Sequence, residues 1–451
     1  MSVSKLDIAR LKNHLEGAVI TPASSEYSVA KQVWNRAFEK DPAIITKCVC
    51  RADVIRTLEF ARQNQLEIAV RSGGHSFAGF GVSEGGVVID LSGMKAVNIL
   101  PRSGTVTIES GVIGGELDCI TQAFKTALPL GSCPSVGVAG YALGGGEGSL
   151  TPKLGYGCDS LLGVEIVTAE GHLLTANKDE NSDLFWAVCG AGANFGVAVS
   201  LTFRLHAIEK VLSGHLKYPI RDASNVLGFL KDYAPTIPDD MFLLVAVLPY
   251  PGERMLDISI VWPGDPSEGL RALRPLRTFI KPFADTIEIR DYLDEQRAGF
   301  ESPEEGVFSS RRRSGHLSNL TSANIAVIVE HASNAPSEEC GINLAYWHGP
   351  WSSQPRDNSF GFRRVGFEYW IHSYWRPDDR DRTGQNWVDQ FYADLAPLST
   401  GAVYVNGLEN EGEARVRASY GDKYDRLRVL KRKFDPDNIF RLNQNIEPAT
   451  D

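Results

Sequence analysis

The stretch from Gly131 to Gly148 reads Gly-Ser-Cys-Pro-Ser-Val-Gly-Val-Ala-Gly-Tyr-Ala-Leu-Gly-Gly-Gly-Glu-Gly, seven glycines in eighteen residues. A shorter segment upstream, Arg71-Ser72-Gly73-Gly74-His75-Ser76, has the same character. Glycine lets a backbone approach a ligand closely and aim its N–H groups at it. A chain with two such segments has to bring bare backbone against something flat or anionic. Each segment also carries one reactive side chain, His75 in the first and Cys133 in the second.

The chain has 451 residues, too long for one ordinary core, so two domains are expected. Hydrophobic residues make up 43% and charged residues 23%, the balance of a globular protein in water. A formal net charge of -10 argues against nucleic acid, whose phosphates attract basic surfaces. The densest basic run, Arg311-Arg312-Arg313, reads as a solvated loop. The N-terminal segment is charged and amphipathic, without the apolar core of a signal peptide. The longest apolar stretch, near Met241 to Leu248, is far short of the roughly 20 residues that span a bilayer. A cytoplasmic protein with no membrane partner is the expectation. The seven cysteines show no C-x-x-C spacing, so no metal site is expected. Most of them read as small core residues, and Cys48 and Cys50 would share a face if they lay on a strand.

Periodicity predicts a helix over Asp53 to Asn64 and a strand from Leu66 to Arg71 that feeds the first glycine segment. Further strands are expected at 87–91, 105–109, 162–168 and 198–205, with a helix from Gly114 to Thr126. From about residue 210 the character changes. Strand-like runs at 242–247, 256–262, 325–330 and 367–375 alternate with helical stretches, and aromatic residues concentrate late. An antiparallel sheet with helices on one face fits this pattern. The expected organisation is residues 1–208, residues 209–400, and a closing segment 401–451 with a helix at 424–434.

No Walker-type string G-x-x-x-x-G-K-[ST] is present. Gly144-Gly145-Gly146-Glu147-Gly148 follows a loop rather than a strand, which rules out a Rossmann fingerprint. A flavin dinucleotide suits the glycines better, with its pyrophosphate against N–H groups and its ring against bare backbone.

With these motifs, the chain resembles the FAD-linked oxidases of the vanillyl-alcohol-oxidase (PCMH) type, and within them the berberine-bridge-enzyme-like group. The resemblance rests on the two glycine segments, Asp183-Leu184-Phe185-Trp186-Ala187, Asn194-Phe195-Gly196, Tyr404-Val405-Asn406 and the run Phe434-Asp435-Pro436 to Asn443-Gln444-Asn445-Ile446, all in family order. It implies an α+β, two-domain PCMH-type FAD-binding fold, with a second, substrate-binding domain on the antiparallel sheet. It implies FAD held covalently by His75 and Cys133, some relatives keeping only the histidine link. Imidazole nitrogen and thiolate are both nucleophiles, and oxidised flavin is electrophilic, so the chemistry is locally sound. The cofactor-binding set implied is Arg71, Ser72, Gly73, Gly74, His75, Ser76, Cys133, Val136, Gly137, Gly140, Tyr141, Gly144, Gly145, Gly148, Val197, Tyr404, Asn406 and Asn443. Valine at 136 resembles the oxygen-reactive members, where leucine resembles those that exclude oxygen.

Two departures stand out. Relatives often carry histidine where this chain has Tyr141. Many read Tyr-x-Asn-Tyr, the second tyrosine being a base, where this chain has Tyr404-Val405-Asn406-Gly407. Glycine cannot take a proton. Glu368 is the leading candidate to replace it, since desolvation on an aromatic pocket floor raises a carboxyl pKa toward that of a useful base. His372, on the same strand face, comes second, and Tyr141 and Tyr404 third. The expected reaction is oxidation of an alcohol, phenol or amine carbon in a ring-containing small molecule or a sugar, with O2 as the second substrate and H2O2 as product. Oxidative ring closure in secondary metabolism and a flavin-binding non-redox cyclase are the alternatives.

Overall fold

The computed structural model describes residues 4–251, 253–298 and 308–450. Helices and strands are mixed throughout, in three main sheets. The first has four strands, ordered Ala18–Ile20, Ile44–Lys47, Val87–Asp90 and Ile68–Arg71, the last three mutually parallel. Its parallel pairs are linked by the helix Arg51–Gln63, whose Val54, Leu58 and Ala61 are buried on one face. Ile68–Arg71 ends directly at the first glycine segment.

The second sheet is antiparallel, in the order Val97–Leu100, Thr105–Glu109, Val197–Arg204, Leu161–Val167, Leu173–Asn177. The Gly131–Gly148 segment crosses beside it and winds into one short helix, Val138–Leu143.

The third sheet has eight antiparallel strands among the described residues. Its centre runs Lys210–Pro219, Glu253–Trp262, Phe242–Tyr250, Cys340–Trp347, Gly366–Trp375, Ser309–Leu317. Strand alternation divides its residues between two environments. Leu243, Val245, Ile342, Leu344, Tyr369 and Ile371 pack in one apolar core that also takes in buried residues of the helices Ala223–Tyr233, Ser322–Ser333 and Thr383–Leu395. Leu244, Asn343, Trp370 and His372 line a cavity on the opposite face.

Two sequence expectations fail here. Residues 325–330 are helical, within Ser322–Ser333. Their β-branched residues suggested a strand, but Thr321 caps the helix by accepting from the Asn324 N–H, and the buried residues Ile325, Ile328 and Ala332 follow a helical period. The triplet Arg311-Arg312-Arg313 is not a loop but lies in the strand Ser309–Leu317. Arg311 pairs with Asp389 and Glu409, and Arg313 with Asp389 and Glu411. Cys48 and Cys50 also lie outside the strand Ile44–Lys47, Cys50 standing at the N-cap of the following helix. Four of the seven cysteines are buried, and Cys119 is exposed.

The C-terminal helix Tyr424–Phe434 returns to the loop around residues 190–196. Lys431 donates to the carbonyl of Asn194, the Asn443 amide donates to the carbonyl of Ala193, and the Ile446 N–H donates to Asn194 Oδ1.

Candidate active site

A cavity of about 710 Å³ runs from the end of the first sheet, at Ile68, Leu91 and Phe440, past both glycine segments to the third sheet. The two segments meet backbone to backbone. A Cβ on Gly73 would lie 2.3 Å from the Gly137 nitrogen, and one on Gly137 would lie 2.5 Å from the Gly73 nitrogen. This contact brings the two reactive side chains together. His75 Nε2 is 2.8 Å from the Ser135 hydroxyl, which is itself 3.6 Å from Cys133 Sγ. Trp34 stacks on the His75 ring at 5.5 Å.

Most of the sequence-assigned residues line this one cavity: 71–76, Cys133, Val136, Gly137, Gly140, Tyr141, Gly144, Gly148, His372, Tyr404, Asn406 and Asn443. Arg71 borders it with its guanidinium already engaged, by the buried Asp90 at 2.7 Å and by the carbonyls of Ala30 and Gln32. Asn406 fits against Gly144, where a Cβ would collide with its amide, and donates to the Tyr141 carbonyl. Three assigned residues are placed elsewhere. Gly145 turns from the cavity toward Phe360, whose ring lies 2.3 Å from where its Cβ would be. The Val197 side chain is in the core beneath the first sheet. Glu368 is completely buried behind the lining rather than part of it.

Position 407, a glycine here, is closely bordered. A Cβ at Gly407 would be 3.1 Å from the Ser314 hydroxyl and 3.4 Å from Trp370 Nε1. The Ser314 hydroxyl and the Trp370 indole therefore border this position.

Electrostatics separate the candidate bases. Burial and Arg312 lower the His372 pKa to about 3, so that the imidazole holds no proton near neutrality and has little drive to take one. Burial raises Tyr141 and Tyr404 well above the ordinary phenol value. Tyr141 donates to the Pro129 carbonyl, and the Tyr404 oxygen accepts from the Gly146 N–H and the Asn406 amide, both at 2.8 Å. Burial pushes Glu368 up to about 7, against the hydrogen bond from Trp347 Nε1 at 2.7 Å, which favours its ionised form.

Two cavity residues escaped the sequence reading. Glu147 is the only residue of Gly144–Gly148 with a side chain, and it faces the cavity. Arg312 points the opposite way from its two neighbours, into the cavity, with its guanidinium 3.8 Å above the Phe77 ring. For Arg312 the signal was the strand period across the triplet.

The cavity suits a dinucleotide with a flat ring. Backbone without side chains lines it at both glycine segments, and Asn443 Oδ1 is buried beside it with no donor directed at it. Comparison with known proteins agrees. Residues 42–177 match the family of FAD binding domains, and residues 403–447 match the berberine and berberine-like family. An FAD-linked oxidoreductase of Dictyostelium discoideum is 28% identical over 96% of this chain and 95% of its own. A xylooligosaccharide oxidase of Thermothelomyces thermophilus is 27% identical over 94% and 91%. The crystal structure of 6-hydroxy-D-nicotine oxidase from Arthrobacter nicotinovorans superposes with a TM-score of 0.90 at 27% identity, covering 96% of this chain and 98% of that one. Fold and site therefore define an FAD-dependent oxidoreductase. Along nearly its whole length the chain is similar to FAD-linked oxidases, and it carries an FAD-binding domain and a berberine-like segment. Among the described residues no helix is long and apolar enough to cross a membrane.

Proposed function

We propose that this chain is an oxidase that takes hydride from a carbon bearing an alcohol or amine in a ring-containing small molecule or sugar, and that returns the electrons to O2 as H2O2. The observation that carries this reading is the convergence of His75 and Cys133, bridged by the Ser135 hydroxyl, on one cavity that ends at an aromatic, polar sheet face. Residues 1–208 and 401–451 would hold FAD, with His75 and Cys133 as its covalent tethers, and residues 209–400 would supply the substrate wall. Bound flavin would supply the hydride acceptor at N5. The protein's part is to place the substrate carbon, exclude water and remove the heteroatom proton. Val136, on the cavity wall beside Cys133, leaves room for O2.

Glu368 is the proposed base. A base works only when unprotonated, so the rate of substrate oxidation should fall about tenfold per pH unit below neutrality and level off above the Glu368 pKa, near 7. His372 as the base would instead place the limb near 3. Anaerobic flavin bleaching across this range, with 6-hydroxynicotine and xylobiose as first probes, separates the two.

The test of the tethers is acid precipitation of the purified protein followed by peptide mass mapping. Flavin on peptides containing both His75 and Cys133 is the expected result. Flavin on His75 alone reduces the attachment to one bond, and all of the flavin in the supernatant rules the tethers out. A protein whose flavin is bleached by no alcohol, amine or sugar in a broad panel is not an oxidase of this kind.

A further inference from the structure

Glu368 sits behind the cavity wall, whereas Glu147 is in it. The two carboxyl groups lie close enough to act on each other directly. Glu368 comes from the strand Gly366–Trp375 of the third sheet, and Glu147 from the glycine loop of the other half of the molecule. Glu368 Oε2 accepts from Trp347, while its Oε1 is buried with no N–H or O–H directed at it. Glu147 Oε2 is likewise buried with no donor. Two buried carboxyls this close favour a proton shared between them, because away from water their mutual repulsion is poorly screened. Glu147 itself lines the cavity.

We propose that Glu147 is the group that meets the substrate's proton, and that it relays that proton to Glu368 behind it. The inference rests on the reading of Glu368 as the base and completes its path. As hydride leaves the substrate carbon with its electron pair for bound oxidised flavin, the O–H or N–H proton moves to Glu147 Oε1. The proton already held on Glu147 Oε2 passes to Glu368 Oε1. The substrate thereby loses a hydride, which carries two electrons and one proton, and one further proton; the hydride goes to the bound flavin and the carboxyl pair gains the proton.

The surroundings fit this division of labour. Burial and the neighbouring carboxyl hold Glu147 well above the ordinary glutamic acid range, so it carries the shared proton, and Glu368 is the ionised partner at and above neutrality. Trp347 and Trp370 from the sheet, with Arg312 from the adjacent strand, favour the ionised form of Glu368, and Arg312 acts on Glu147 in the same sense. Tyr404 and Tyr156 also lie within electrostatic reach of both carboxyls, and Tyr141 within reach of Glu147; burial keeps all three neutral.

The test compares E147Q, E147L and E368Q as flavin-loaded proteins of equal flavin content. Infrared titration of the carboxyl bands needs no substrate. Glu368 should titrate near 7 in the wild type. It should stay within about a unit of that in E147Q, which keeps an N–H donor, and move upward in E147L, which has none. Flavin reduction by a turned-over substrate should slow by at least about 100-fold in both E147Q and E368Q, since an amide cannot relay a proton. A wild-type rate in E147Q with a slow E368Q overturns the relay and leaves Glu368 as a direct base. A wild-type rate in E368Q overturns the base reading, and the relay falls with it. An unmoved titration in E147L shows that the pair is not hydrogen-bonded, and the relay falls.

Discussion

Replacing Gly73 by alanine should yield a protein without its flavin. The added Cβ would lie 2.3 Å from the Gly137 nitrogen and 2.5 Å from the Ser135 carbonyl oxygen. Both atoms are backbone, so no side-chain rotation relieves the contact, and the two loops must separate. That separation pulls His75 from Ser135 and opens the wall that holds Cys133. Overpacking a well-packed core costs about 1–3 kcal/mol, part of which side chains absorb by shifting. Against rigid backbone, G73A belongs at or above the upper end of that range, and the absorbance ratio of flavin to protein should fall close to zero. Gly228→Ala is the control. It lies in the helix Ala223–Tyr233 with open space where its Cβ would go, and should stabilise by roughly 0.5–1 kcal/mol. Full flavin and an unchanged melting temperature in G73A would mean that the two loops do not meet as described.

Much of this site was legible because glycine at a close approach leaves a plain mark in sequence. The strand Thr105–Glu109 and the helix Tyr424–Phe434 were legible for a similar reason, since their residue choice and their burial follow one period. The failures have physical causes too. The segment Ile325–Glu330 is rich in β-branched residues, and tertiary burial at Ile325 and Ile328 overrode that preference. Arg311 and Arg313 looked solvated because their acidic partners, Asp389, Glu409 and Glu411, lie far along the chain.

The site's acid pair was only half visible, for the same reason of distance. Glu368 stood out among aromatic residues on a strand. Glu147 looked like the variable position of a glycine motif until the fold set it against Glu368, more than two hundred residues away. Gly407 and Trp370 make a second such pair. The sequence shows a glycine at 407, and only the packed structure shows the Trp370 indole beside it.

Lys431→Met should be among the most destabilising single changes in this chain. Lys431 and Asp435 form an ion pair at 2.7 Å with both side chains fully buried. All three ammonium protons are used, on Asp435 and on the carbonyls of Asn194 and Phe440. Asp435 in turn accepts from the N–H groups of Ile439 and Phe440. Methionine fills much of the lysine volume but strands a buried carboxylate and two carbonyls, at a cost of about 3–5 kcal/mol. Denaturant unfolding measures this directly. Because Asn194 belongs to the cavity wall, noncovalent contacts to FAD should loosen as well, seen as greater exposure of bound flavin to quenchers. A loss below about 1 kcal/mol would show that water reaches the pair. Neutralising both partners would not repair the site, unlike an ion pair that bonds only to itself. The carboxylate also holds the turn at Ile439 and Phe440, so the double variant K431M/D435L should remain well below the wild type and close to K431M.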